Sequence, residues 1–376
     1  MGDTMKLTIE RAALLRSLNH VQSVVERRNT IPILSNVHFS VQEERLAMTA
    51  TDMDLAIIET VDAAPKSGGA TTAPAHTLYD IVRKLPEGAQ IGLDANGEED
   101  RLILMSGRSR FTLQTLPTAD FPQMTDGDLP AVFKLPADEL RMLIDRTRFA
   151  ISTEETRYYL NGLYVHKAEA SGIPVLRVVA TDGHRLARVE MPLPNGANDM
   201  PGIIVPRKAI NELRKLIDET EDDVEIALSD TKIRFSFDNV VLSSKLIDGT
   251  FPDYDRVIPD GNDKTLEVNC EDFAAAVDRV ATISTDKSRA IKLSVDAGTI
   301  VLSASSPESG TASEEIEVDY SQGPIEIGFN ARYLLDIAQQ IEGTMAQFIM
   351  ADSASPTIVR DTDDPTSLYV LMPMRV

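Results

Sequence analysis

Three stretches of this 376-residue chain repeat one another, and any fold that honours them must be assembled from three similar units. Pro74-Ala-His-Thr-Leu78-Tyr-Asp80-Ile81 returns as Pro206-Arg-Lys-Ala-Ile210-Asn-Glu212-Leu213 and again as Asn330-Ala-Arg-Tyr-Leu334-Leu-Asp336-Ile337. In each, a Pro or Asn suits a helix N-terminus, the fifth and eighth positions are aliphatic and the seventh is acidic. A second register sets Ile144-Asp145-Arg146, Ile151-Ser152-Thr153 and Arg157 against Val277-Asp278-Arg279, Ile283-Ser284-Thr285 and Arg289. A third sets Ala50-Thr51-Asp52 against Ala180-Thr181-Asp182, and Leu116 with Phe121-Pro122 against Leu246 with Phe251-Pro252. Acidic, turn-prone stretches at 126–128 and 260–263 follow the last pair and mark linkers. The spacing predicts domains over 5–127, 130–256 and 257–376.

Each copy opens with an amphipathic helix. In the first, Leu14, Leu15, Leu18, Val21, Val24 and Val25 follow the 3.6-residue period, with Arg11, Arg16, Arg27 and Arg28 elsewhere. Short apolar or alternating runs come next (37–41, 46–50, 55–61), then the second helix, then further runs at 90–93, 102–105 and 110–113; these read as antiparallel strands. The fold class is therefore α+β, with two helices packed on antiparallel sheets in each of three tandem domains. Expected helices span 10–28, 74–85, 137–151, 206–219, 271–284 and 330–342.

Composition excludes several classes. No apolar run reaches the roughly 18 residues of a membrane span, and a charged-then-apolar secretory leader is absent, so the cytoplasm is the default compartment. Cys270 is the only cysteine, which rules out an intrachain disulfide or a cysteine zinc cluster. No cofactor or metal site is expected. A net charge of −22 argues at first sight against a polyanionic partner. Yet the six expected helices hold 15 Lys/Arg against 14 Asp/Glu, leaving −23 on the remainder. Gathered on one surface, they would be the least negative part of an acidic protein. Six helices per chain and two chains give twelve; side by side at about 8–10 Å, they would line a hole about 30–38 Å across, wide enough for duplex DNA.

Several strings carry a family resemblance. Ala180-Thr-Asp-Gly-His-Arg-Leu-Ala187, Arg157-Tyr-Tyr-Leu-Asn-Gly162, Val205-Pro-Arg-Lys208, Ser244-Lys-Leu-Ile-Asp-Gly-Thr-Phe-Pro-Asp-Tyr254 and Tyr369-Val-Leu-Met-Pro-Met-Arg375 resemble the bacterial DNA polymerase III beta subunit, the sliding-clamp family, from Met5 to Val376. The resemblance implies a head-to-tail homodimeric ring that encircles duplex DNA without sequence specificity. It also implies tethering of the replicative polymerase, the clamp loader and other polymerases or repair proteins through short hydrophobic peptides. By resemblance, Arg28, His76, Arg157, Tyr158, Tyr159, Arg207 and Lys208 stand where the family contacts DNA. Here His76 and Thr77 replace residues that are basic in many members, and Glu154 precedes the tyrosine pair. The resemblance places Leu160, Thr181, Gly183, His184, Arg185, Leu186, Pro252, Arg256, Val257, Asn330, Tyr333, Pro356, Val370, Met372, Pro373, Met374 and Arg375 around the peptide groove. It places Phe111, Leu113, Thr282 and Ile283 at the dimer seam.

The residues read on their own leave plainer roles open. Arg207 and Lys208 can be solvated first-turn residues, one of Tyr158 and Tyr159 a core aromatic, and Met372 and Met374 inward residues of a last strand. Phe111 and Leu113 alternate as a strand's core face does. An enzyme is not indicated: Asp182, His184 and Ser243 or Ser244 lack a GxSxG elbow, no phosphate-binding glycine loop is present, and Asp52 and Asp54 at i and i+2 on a strand point to opposite faces. The alternative to a clamp is a three-domain protein-binding scaffold that does not encircle DNA.

Overall fold

The computed structural model describes residues 4–96, 100–125, 127–284 and 289–375. Thr285, Asp126, Val376 and most of the short N-terminal extension lie outside the described residues. Six helices are present among them: α1 (Arg11–Gln22), α2 (Ala75–Lys84), α3 (Ala137–Asp145), α4 (Arg207–Leu216), α5 (Cys270–Ala281) and α6 (Ala331–Ala338). All six expected helices form, each shorter than the periodicity suggested. The first stops at Gln22 because the chain tightens there: Ser23, Val24 and Val25 donate to His20, Val21 and Gln22, and the Ser23 hydroxyl also takes the His20 carbonyl at 2.6 Å. Val24 and Val25 stay buried without being α-helical.

The strands make four antiparallel sheets. One runs Ala64–Ser67, Met5–Glu10, Gln90–Asn96, Arg101–Ser106, Ser109–Gln114. The second has eight strands: Ala131–Pro136, Asp223–Leu228, Lys232–Phe237, Val240–Lys245, Leu55–Asp62, Arg45–Thr51, Asn36–Gln42, Gly69–Pro74. The third also has eight: Ile203–Pro206, Gly162–Ala170, Ile173–Thr181, Arg185–Pro192, Ser367–Leu371, Thr357–Asp361, Met345–Met350, Lys264–Asn269. The fourth runs Gly310–Glu317, Thr299–Ser306, Ala290–Asp296, Ile325–Asn330. Alternation puts one face of many strands inside, as in Met5, Leu7 and Ile9 or Ala131, Phe133 and Leu135, whereas Ser367–Leu371 is buried on both faces.

The repeats are not closed modules. Val241 pairs with Ile58 and Ser243 with Ala56, which joins a strand of the second copy to one of the first. Leu186 likewise pairs with Val370, joining second copy to third. The backbone accordingly divides into two compact units, 1–140 with 194–200 and 208–246, and 141–193 with 201–207 and 247–376. Within the first unit α1 packs on α2 and over Arg45–Thr51 and Leu55–Asp62, burying Leu14, Leu18 and Val21 completely. Within the second, α5 packs on α6, with Phe273, Ala276, Val277 and Val280 inward. Each buried Leu, Val or Phe among these contributes about 1.5–3 kcal/mol.

Candidate peptide groove and nucleic-acid interface

The turn between Ile173–Thr181 and Arg185–Pro192 is locked by its own side chains. Thr181 Oγ1 accepts from the Gly183 amide at 3.1 Å and donates to the Arg185 carbonyl at 2.7 Å; Asp182 Oδ1 accepts from the amides of His184 (2.9 Å) and Arg185 (3.1 Å). Gly183 has φ +88°, yet its counterpart Met53 adopts φ +78° with a full side chain. Glycine relieves the strain of that φ, and a Cβ there would also lie 2.6 Å from Nη1 at the movable end of Arg157.

Arg185, 8% exposed, bolts this turn to its surroundings. Its Nε donates to Asp182 Oδ2 at 3.1 Å, Nη1 to Asp336 Oδ2 at 2.5 Å and Nη2 to the Phe149 carbonyl at 2.6 Å, while the guanidinium lies 4.3 Å from the Tyr333 ring centre. His184 stacks on Tyr333 with ring centres 6.4 Å apart. Its carbonyl accepts from the Met372 amide at 2.9 Å, and the Met374 amide donates to Gly328 at 2.7 Å, so the C-terminal segment is pinned on both sides of Pro373. Asn330 caps α6 through the Arg332 amide.

Leu160, Leu186 and Val370 form a floor, buried in one apolar cluster with Val179, Ile204, Phe251 and Tyr254. Thr181, Asn330, Tyr333, Pro356, Pro373 and Met374 are half-buried around it. Gly183, His184, Pro252, Arg256, Val257, Met372 and Arg375 are exposed, with Val257 at 47% and Met372 at 39%. Arg256 is held by Asp253 at 2.7 Å. An apolar floor with solvent-facing Val and Met at its margin suits hydrophobic side chains of differing shape. Asp336 and Phe149, which hold Arg185, were not singled out from the sequence. Asp336 had a signal in the recurring acidic position of the helix register, but its equivalents serve otherwise: Asp80 pairs with Arg83, and Glu212 with Lys215 and Ser23.

The residues of the candidate DNA surface divide by how their charge is engaged. Arg28 and Arg207 are exposed. Arg207 opens α4, where the macrodipole disfavours a cation, so helix stability does not account for it. Lys208 is engaged within its own unit: its ammonium sits 2.5 Å from Asp52 and 3.4 Å from Glu26, and donates to the Val24 carbonyl. Burial works against its charge, but those carboxylates raise its pKa. His76 spends one ring nitrogen on the Val25 carbonyl at 2.9 Å. Arg157 makes two contacts to Glu154 Oε2, at 2.8 and 2.7 Å, so its charge is locally compensated. Tyr158 is 54% exposed, whereas Tyr159 is half-buried against the groove's apolar cluster.

At the proposed seam, Phe111 and Leu113 are half-buried on Ser109–Gln114, an edge strand, opposite Leu104 and Leu102. Thr282 caps the C-terminus of α5 and is exposed; Ile283 beside it is half-buried. Among the described residues no group of His, Cys, Asp and Glu has the arrangement of a metal site, and no helix is long and apolar enough to cross a membrane.

Comparison with known families agrees along the whole chain. Residues 5–125, 134–253 and 255–375 match the N-terminal, central and C-terminal domains of the DNA polymerase III beta subunit. The chain belongs to the DNA polymerase III beta subunit family. The beta sliding clamp of Caulobacter vibrioides is 57% identical over 372 residues, covering 99% of this chain and all of that one; the Escherichia coli beta sliding clamp is 39% identical over 375 residues. Among solved structures, the C. crescentus beta sliding clamp with polyethylene glycol at a putative beta-motif tethering region superposes with TM-score 0.98 at 57% identity, each chain fully covered. A Bartonella birtlesii sliding clamp bound to griselimycin gives 0.97 at 50% identity, covering 99% of this chain and all of that one. This family member is thus a sliding clamp, a processivity subunit and not a catalytic one.

Proposed function

We propose that the chain closes as a head-to-tail homodimer around duplex DNA in the bacterial cytoplasm, holds it without reading sequence, and tethers polymerases, clamp loader and repair proteins through the groove built on Leu160, Leu186 and Val370. The observation that carries closure is a pair of open sheet edges of opposite charge. Ser109–Gln114 ends one sheet with Arg108 and Arg110 exposed, and Gly310–Glu317 ends another with Glu315 and Glu317 exposed. Open edges of this length invite pairing. The charges favour joining unlike edges of two protomers over joining like edges. Phe111, Leu113, Thr282 and Ile283 would then be covered at the seam.

The three repeats over 5–127, 130–256 and 257–376 supply the six helices that would face the duplex. Arg28 and Arg207 are the best-placed phosphate contacts in this reading, with Tyr158 beside Arg157; Lys208 and His76 contribute less because their polar groups are engaged. Phosphate contacts position a duplex without fixing register, which sliding requires. In the groove, a few buried anchors from each partner peptide would dominate affinity. Titration of a labelled peptide from the replicative polymerase tests this. Deleting residues 372–376 should abolish most of the binding while the protein stays folded and dimeric, and equal affinity for the two proteins would place docking elsewhere.

A further inference from the structure

The two eight-stranded sheets carry the same local construction. Thr51 and Asp52 make the turn bonds of Thr181 and Asp182: Thr51 Oγ1 to the Leu55 carbonyl and from the Met53 amide, Asp52 Oδ1 from the amides of Asp54 and Leu55. Cross-strand registers then fix the equivalences. His38 opposite Thr49 stands where Tyr164 faces Val179, and Ser40 opposite Ala47 where His166 faces Arg177. Ser243 opposite Ala56 stands where Val370 faces Leu186. Phe121 lies tilted beside His38 with ring centres 5.2 Å apart, where Phe251 stacks on Tyr164 at 4.8 Å.

What fills the space differs. In the second unit Tyr254, three residues beyond Phe251, lies 5% exposed beside Tyr164 and Phe251, its hydroxyl 2.9 Å from His166 Nε2 and 3.1 Å from Arg177 Nη1. In the first unit Met124 takes the position of Tyr254, Ser40 that of His166 and Ala47 that of Arg177. The phenol ring and the guanidinium are both absent from their places, and a cavity of about 340 Å³ remains, with His38, Ser40, Ala47, Thr49, Phe121 and Met124 on its walls. That volume lies at the small end of ligand sites, room for one ring system.

We propose that this cavity in the first unit binds a neutral phenolic ring, seated against Phe121 and His38 with its hydroxyl meeting the Ser40 and His38 polar groups. The chain supplies its own precedent, since the second unit fills the equivalent place with the phenol of Tyr254. Burial lowers the His38 pKa, so its imidazole is neutral near pH 7 and offers one donor and one acceptor. The site is separate from the peptide groove and does not depend on that reading.

The test is p-cresol titration of the full-length protein carrying ¹³C-methyl methionine. Binding should shift the Met124 methyl resonance and leave those of Met372 and Met374 in place. Toluene should bind about ten-fold more weakly, the loss of one hydrogen bond. Ala47→Leu, which fills the cavity and keeps the Met124 reporter, should lower p-cresol affinity at least about ten-fold; Met124→Tyr, which restores the second unit's own filling but removes that methyl, should do the same when affinity is read by calorimetry. Binding of N-acetyltyrosinamide as well as p-cresol identifies a tyrosine side chain as the source; binding of p-cresol alone identifies a free phenol. Absence of a Met124 shift, equal affinity for toluene, or undiminished binding by the filled variants would overturn the proposal.

Discussion

Replacing Arg185 by Ala is the sharpest perturbation of the groove that leaves its surface chemistry untouched. The guanidinium is 8% exposed and touches two carboxylates, one carbonyl and the Tyr333 ring. Its loss leaves Asp182 and Asp336, 17% and 23% exposed, without their strongest partner, and strands the Phe149 carbonyl. Charge-assisted hydrogen bonds contribute about 1.5–3 kcal/mol each, but these share one donor group and do not add. Breaking a buried pair from one side costs about 3–5 kcal/mol, so about 4 kcal/mol is expected for Arg185→Ala. Arg185→Lys keeps the charge without the fork and should lose about half of that. Urea midpoints give the stability, and titration with the polymerase peptide gives affinity. Affinity should fall in both variants, because Tyr333 and the turn at Gly183-His184 lose their common support. A cost below about 1 kcal/mol with unchanged peptide affinity would refute the reasoning.

Two further predictions rest on charged side chains outside the groove. His20, 8% exposed, has Nδ1 2.7 Å from Glu59 Oε2 and Nε2 3.1 Å from Glu219 Oε1; Ser17 takes the other Glu59 oxygen at 2.7 Å. Burial alone would lower its pKa, but the two carboxylates outweigh it and hold it above the ordinary 6.5. The stabilisation is therefore complete below about pH 6.5 and is lost as pH rises through the folded-state pKa; urea midpoints from about pH 6 to 9 should decline more steeply for the wild type than for His20→Gln, and parallel curves would contradict this. The second concerns Arg28 and Arg207 against Lys208. Alanine at both arginines should reduce the salt dependence of weak binding to linear duplex, with a slope smaller by up to about 4 for the two protomers together. Alanine at Lys208, already compensated by Asp52 and Glu26, should leave the slope almost unchanged while lowering stability; an equal loss of slope at Lys208 would show that phosphate displaces those carboxylates.

Local features were the legible ones. The repeated helix register and the alternating strands are set by residues within a dozen positions of each other and appear where the sequence placed them; Asp52 and Asp54 do not, since they lie in the turn between Arg45–Thr51 and Leu55–Asp62 and not on a strand. Sheet membership was not legible, because Val241 beside Ile58 and Leu186 beside Val370 are long-range pairings that no local pattern encodes. For the same reason Lys208 looked like a free cation until Asp52, 156 residues away, was seen beside it. Arg185 looked like a groove contact, yet burial and the distant Asp336 make it a support. The His20 cluster joins residues 39 and 199 positions apart and left no mark in the sequence that periodicity or spacing could detect. The cavity beside Met124 was hidden differently: the repeat was visible, but only the structure showed which residues of each copy fill the same place.

Retention on circular DNA tests the central claim most directly. A protein of net charge −22 has little equilibrium affinity for duplex. Once loaded on a nicked circle by its clamp loader it should nevertheless remain bound through dilution at moderate salt, and should leave within the dead time when the circle is cut once. Ile283→Asp, which sets a charge in the proposed seam, should abolish retention on the closed circle. Equal residence on circular and linearised DNA would contradict a ring that holds DNA by topology.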